Sequence, residues 1–375
     1  MAVYKIFPSQ DATIYSGYPY MNTGLDEILE ASTNFKTGVL QTEGQYPQSS
    51  RFLIKFDQSE INSIFTNLIS SSNWQSNLKC FVANIEGLSS TTTLAVNALA
   101  QDWSMGTGRY LDSPENQNGV SWVWTNYSGS TSWTTGSFTS GTTGSYDTTT
   151  NPSLSGGGVW YTGSQSSQSF SYYSDLDLNT DVTSIVSKWY SGSFNNYGFI
   201  IRQTQSQEFV DNVNQQVTIK YFSRDTHTIY PPQLEFKWND FTYSTGSLEV
   251  LNTTPATITV DNNYGTFYSS SVNIFRVNSR PEYPLRVWST SSWYTTNYAL
   301  PTASYYAIKD LDTNEYVIDF DPVYTKLSCD ISGSYFTMYM NGLEPERYYK
   351  ILVQTTINNN TVVFDDDYVF KVVNG

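Results

Sequence analysis

Apolar and polar positions along most of this chain alternate with a period of two, the pattern of half-buried strands. One stretch, residues 177–202 (DLNTDVTSIVSKWYSGSFNNYGFIIR), breaks that pattern. Val182, Ile185, Val186 and Trp189 fall at i, i+3, i+4 and i+7, which lines one face of a short helix. Asn179, Thr180 or Asp181 is placed to cap its N-terminus. Gly192 is placed to end it in a left-handed turn. The Asn195-Asn196 turn then leads into Tyr197-Gly198-Phe199-Ile200-Ile201, an apolar run of strand length. A helix packed under a sheet and feeding a central strand is therefore the organising expectation.

Strand patterns surround it. Residues 3–7, 12–15 and 28–31 read as short strands, and residues 51–56 (RFLIKF) as one with Phe52, Ile54 and Phe56 inward. Asp57 or Ser59 caps a further short helix through Ile61, Ile64 and Phe65. Residues 101–173 are rich in Gly, Ser and Thr with recurring aromatics, which predicts long ordered loops; only residues 136–158 read as a mobile loop tip. Residues 239–246 look like a boundary. Beyond them strands recur at regular spacing (247–251, 257–260, 271–277, 304–309, 316–320, 335–340, 348–356 and 368–373), the spacing of a β-sandwich. The expected domains are 1–240 and 247–375. The fold class is all-β: a jelly-roll-like β-sandwich with one short organising helix, then an immunoglobulin or fibronectin III-like β-sandwich.

Composition narrows the functional classes. Aromatic residues make up 16% of the 375 residues and charged residues only 14%, a mix that suits sheets with polar turns. The net charge of −15 opposes nucleic acid and anionic membrane surfaces, both of which require a basic face. No apolar run approaches the roughly 18 residues that span a bilayer. Residues 1–15 lack the basic and apolar regions of a secretory signal. Cys80 and Cys329 lie in strand-like runs and read as buried free thiols, which places synthesis in a reducing cytoplasm.

Several separated motifs bear a resemblance. Residues 7–24 (FPSQDATIYSGYPYMNTG) form an opening strand and an Asn-x-Gly turn, and residues 51–57 (RFLIKFD) an Arg-containing strand. Asp102-Trp103, Gly106-Thr107-Gly108, Gly119-Val120-Ser121-Trp122 and Trp133-Thr134-Thr135-Gly136 form a Trp/Gly segment. The helix at 181–189 with Tyr197-Gly198-Phe199, and residues 221–236 (YFSRDTHTIYPPQLEF), complete the series. In this order the first 240 residues resemble the DNRLRE family, jelly-roll-like modules of bacterial, archaeal and phage surface proteins. Leu343-x-Pro345-x-Arg347-x-Tyr349 is similar to the tyrosine corner of fibronectin III and immunoglobulin-like sandwiches, with Leu343 in the core and the Tyr349 hydroxyl bonded to upstream backbone. A module of this kind starting at Met1 without a signal peptide resembles virion structural proteins of tailed marine and cyanobacterial phages. That resemblance implies synthesis in the host cytoplasm and residence in the virion. The implied function is non-enzymatic: an accessory or decoration component of capsid, neck or tail that docks on other virion proteins and on copies of itself.

The alternative is a carbohydrate-binding adhesion module that recognises host surface glycan. Trp122, Trp124, Trp133 and Trp160 could form a sugar-stacking platform, and Trp288 and Trp293, with Tyr294 and Tyr298, a second aromatic patch for glycan or protein. Structural packing competes for all of them. No catalytic residue, cofactor or metal is expected. His227 is the lone histidine and has no nucleophile context. Asp175-x-Asp177-x-Asn179-x-Asp181 imitates half of a calcium loop, but Thr180 and Val186 stand where such a loop needs Gly and Glu. Residues 310–314 (DLDTN) read as a hairpin turn with a calcium half-motif, and Asp365-Asp366-Asp367 as a solvated turn or protected edge, not a facing acid/base pair.

Overall fold

A computed structural model describes residues 2–37, 45–69, 71–88, 91–113, 116–134, 143–144, 156–204, 206–208, 216–283 and 297–375. The chain is all-β and forms antiparallel sandwich sheets, with two α-helices among the described residues, α1 (Gln58–Asn67) and α2 (Thr183–Tyr190). It divides into two compact units. One comprises Ile6–Leu68 and Gln75–Glu235; the other comprises Met1–Lys5, Ile69–Trp74 and Phe236–Gly375.

In the first unit a nine-stranded sheet places Phe199–Gln203 between Thr92–Leu99 and Gln45–Lys55. All five residues of Phe199–Gln203 are buried, as a central strand requires. The helix ahead of it follows the periodicity. Val182, Ile185, Val186 and Trp189 are all buried, and the Trp189 ring lies 4.5 Å from that of Phe199. Asp181 serves the N-terminus, its Oδ1 accepting the Thr183 N–H at 2.8 Å. Asn179 and Thr180 instead belong to the Leu178–Asp181 strand, paired with Lys79 and Leu78. Gly192 follows the helix at φ +74°, with open space where a Cβ would lie, so backbone conformation rather than room selects glycine there. Asp57 caps α1 by accepting the Ser59 N–H at 2.8 Å.

Two expectations change. Phe52, Leu53 and Ile54 are all fully buried, so the Arg-containing strand is covered on both faces and alternation cannot mark it. Gly156, Gly157 and Gly158 are not part of a loop tip: all three adopt positive φ and meet buried side chains. Residues 135–142 and 145–155 lie outside the described residues.

Motifs far apart in sequence meet in this unit. The buried Asn22 side chain donates to the Met105 carbonyl (2.7 Å) and the Val120 carbonyl (2.8 Å), and accepts the Gly108 N–H (2.8 Å). Gly106, Gly108 and Gly119 crowd against Asn22 so closely that a Cβ at any of them would collide. The Thr23 hydroxyl exchanges both hydrogen bonds with the Thr13 backbone. Asp11 is buried and accepts the Arg224 N–H at 2.6 Å, while the Ser223 hydroxyl donates to the Asp26 carbonyl at 2.6 Å.

The second unit packs two sheets face to face. One runs Ala256–Asp261, Val272–Pro281, Gly333–Tyr339, Ser328–Asp330; the other runs Thr266–Tyr268, Asn360–Val373, Tyr348–Ile357, Ser304–Asp310, Tyr316–Ile318. Phe275, Phe336, Tyr306 and Phe370 fill the space between, with the Tyr306 and Phe336 rings stacked at 4.2 Å. Leu343 is buried and the Tyr349 hydroxyl donates to the Glu344 carbonyl at 2.9 Å, the tyrosine-corner arrangement. Residues 247–251 form no strand; Val250 makes a single bridge to Ala299. Cys80 and Cys329 are both free and buried.

Burial pushes the Asp11 carboxyl up to about 8, opposed by the Arg224 amide and reinforced by Asp225. Between about pH 4 and 8 the folded chain holds a proton that the unfolded chain has lost. This group's contribution to stability therefore falls as pH rises through that window. Urea unfolding of the wild type and Asp11→Asn at pH 5, 6.5 and 8 should show the variant gaining on the wild type by up to about 1.4 kcal/mol per pH unit. A difference that does not change with pH would contradict the assignment.

Candidate functional site

The densest polar chemistry in the first unit surrounds Arg51. This residue enters the core from the central Gln45–Lys55 strand, and its side chain is 0% exposed. Its Nε donates to Glu208 Oε1 at 2.7 Å and its Nη2 to Glu208 Oε2 at 3.0 Å, a bidentate pair in which Glu208 is 1% exposed. Nη1 donates to the Gly157 carbonyl, and the Ser49 hydroxyl donates to Glu208 Oε1 at 3.1 Å. The guanidinium carbon lies 4.7 Å from the Trp122 ring centroid and 5.1 Å from that of Trp160. Arg202 covers Trp160 at 4.4 Å and donates to the Gln203 carbonyl at 3.0 Å. Burial lowers the Arg202 guanidinium to about 10, with Glu208 opposing and Arg51 adding to the shift. Gly157 closes the cluster at φ +77°; a Cβ there would lie 2.6 Å from Trp122 and 2.7 Å from Arg51.

This arrangement is closed to solvent, so it holds the fold and presents nothing to a ligand. Burial selects packing over the sugar platform for three tryptophans. Trp122 and Trp160 are buried against Arg51, and Trp133 is buried with its Nε1 donating to the Ser121 carbonyl at 3.0 Å. Trp288 and Trp293, with Tyr294, lie outside the described residues; Tyr298 is half-buried and its N–H donates to the Ser279 carbonyl.

Trp124 differs. It begins a short hairpin, Trp124–Asn126 with Thr131–Ser132, and is half-buried. It borders an open depression of about 780 Å³ with Tyr127, the amides at 116–118, and Ser128 and Ser130. The Trp124 and Tyr127 rings meet edge to face, with centroids 5.8 Å apart.

The remaining sequence candidates are used structurally. Leu178 to Asp181 alternate buried and exposed, and the acidic side chains there diverge: Asp177 accepts the Val82 N–H, while Asp181 accepts the Thr183 N–H and Gln75. Asp310 is held by Arg347 (2.6 and 2.7 Å) and by the Asp312 and Thr313 amides. Burial would raise its carboxyl, but these donors bring it below the ordinary carboxylate range. Asp365 and Asp367 both pair with Lys350, at 2.7 and 2.6 Å. The His227 side chain is 88% exposed and lies 3.7 Å from Glu27. No group of three or more potential metal ligands occurs among the described residues.

No family model matches the chain, and no curated protein matches it. Among solved structures, the chain is similar to a Parabacteroides merdae β-glucuronidase at a TM-score of 0.18 and 8% identity. The alignment covers 96% of this chain and 35% of that enzyme, so the chain spans about a third of its length. Likeness at this level carries no argument about fold or activity.

Removing one partner of a buried ion pair leaves the other charge unpaired. Arg51→Met and Glu208→Leu should each destabilise the first unit by about 3–5 kcal/mol, and the two together should recover most of that. Thermal unfolding of the two single variants and the double variant measures the coupling; additive effects would contradict it.

Proposed function

We propose that the chain is a non-enzymatic structural protein of a tailed-phage virion, an accessory or decoration component of capsid, neck or tail that acts by docking. The resemblance of its ordered motifs to DNRLRE modules supports the class of protein. The observation that supports docking is the presentation of tyrosine at the surface. Tyr172 and Tyr173 follow the Trp160–Phe170 strand and are 78% and 93% exposed. Their rings meet edge to face at 5.3 Å. The turn that carries them is fixed by Ser174, whose hydroxyl accepts the Ser171 N–H at 2.7 Å and whose N–H donates to the Ser171 carbonyl at 3.0 Å. Tyrosines on a fixed turn supply large amphipathic contact area, and each has only two side-chain torsions to order on binding. In the second unit Tyr264 and Tyr283 are similarly exposed.

The partners in this reading are other virion proteins and further copies of the chain. A net charge of −15 keeps free copies apart before assembly and opposes nucleic acid as a partner. One unit fixes the protein to the particle while the other extends the surface or meets a neighbour.

Mass spectrometry of purified particles from a phage carrying the gene should find the chain at a fixed copy number. Tyr172→Ser with Tyr173→Ser should lower that number about tenfold, the effect of removing a central docking contact, without altering the melting temperature. A chain abundant in the lysate and absent from particles would contradict the proposal.

A further inference from the structure

We infer that the depression beside Trp124 and Tyr127 is a binding site for a neutral saccharide, a function beyond docking that does not rest on it. A sugar offers an apolar C–H face and a rim of hydroxyls that both donate and accept. Its site therefore needs an accessible aromatic surface beside groups of both kinds. Tyr127 is 42% exposed, and its ring stands at 79° to that of Trp124, so the two form a corner rather than a stacked pair. The Trp124 Nε1 has no hydrogen-bond partner among the described residues, although an indole N–H removed from water ordinarily has one.

The polar side is held in place before any ligand arrives. The Asn118 side chain accepts the Thr107 N–H at 2.9 Å and donates to the Thr107 hydroxyl at 2.6 Å, and Asn116 donates to the same hydroxyl at 3.2 Å. Each of the two donations uses one side-chain amide proton and leaves the second one on each nitrogen. Ser128 donates to the Asn118 carbonyl at 3.2 Å, which leaves its oxygen lone pairs. Gln117 and Ser130 line the depression and make no side-chain hydrogen bond among the described residues.

The lining also selects the ligand class. Among the described residues, none of those bordering the depression is charged. An anionic polysaccharide would find no cation to pair with and would meet a chain of net charge −15. A neutral saccharide meets neither penalty. The size, about 780 Å³, falls within the range of small-ligand sites. Because the depression is open and a single contact is modest, multiple copies on one surface would raise apparent affinity by avidity.

The test uses the full chain and a panel of neutral hexasaccharides of glucose (α-1,4- and β-1,4-linked), mannose, xylose and galactose, with hexamers of galacturonate and of alginate as anionic probes. Thermophoresis gives dissociation constants and saturation-transfer NMR the contacting protons. At least one neutral hexamer should bind saturably. Tyr127→Ala and Gln117→Ala should each weaken it at least about tenfold with melting temperatures unchanged, while Tyr173→Ala should leave it unaltered. Absence of saturable binding across the neutral probes, binding indifferent to both depression variants, or binding confined to the anionic hexamers would overturn the inference.

Discussion

A guanidinium and a carboxylate taken completely out of water stabilise a fold only when every bond they lose to solvent is replaced. The Arg51–Glu208 pair approaches that condition with a bidentate bridge, a third bond to the Gly157 carbonyl, a hydroxyl from Ser49 and tryptophan rings near the guanidinium, so that each guanidinium nitrogen has a partner. Apart from Ser49, which shares the strand of Arg51, the replacements come from distant parts of the sequence. The central strand contributes Arg51, and segments around 122, 157–160 and 208 close on it. Those segments bring Val120, Trp122, Val159 and Trp160 into the core, and their glycines add backbone entropy that folding must overcome. Their order is coupled to one buried guanidinium that all of them contact.

A second constraint carries that order to the surface. Asn22 fixes the backbone on both sides of Thr107, through the Gly108 N–H and the Met105 carbonyl. Thr107 in turn holds the amides of Asn116 and Asn118 at the rim of the depression. The glycines at 106, 108 and 119 allow the close approach. Thus a core asparagine sets the position of surface groups nearly a hundred residues along the chain, and a loop with little packing of its own presents a defined face. The proposed docking tyrosines rely on a shorter device, a serine-locked turn.

What the sequence revealed follows from the range of the interactions involved. The helix at 183–190, its buried face and the Gly192 turn depend on neighbours within one or two helical turns, and all were legible. The corner formed by Leu343 and Tyr349 is likewise local, closing over five residues to Glu344. Packing of Trp122, Trp133 and Trp160 under long loops was legible as a reading that competes with a sugar platform, but what covers them was not, because the covering groups are remote in sequence. The charge at the start of RFLIKF was the available signal: an arginine adjoining an apolar strand needs an acidic partner, but nothing local identifies Glu208. Nor could periodicity show that residues 2–5 and 69–74 belong with the C-terminal unit, since that membership is set by long-range contacts. Of the site residues named from sequence, Trp124 alone among the described ones stands at an open surface with polar neighbours.

The central claim is that Arg51 remains sealed within the core and paired to Glu208. Hydrogen exchange at the arginine side chains, followed by NMR on protein labelled with nitrogen-15 at arginine, reads this directly. One Nε–H resonance, absent in Arg51→Lys, should be displaced by the two tryptophan ring currents and persist for hours after transfer to deuterated water. Loss of every arginine Nε–H signal within the dead time of the experiment would contradict the account.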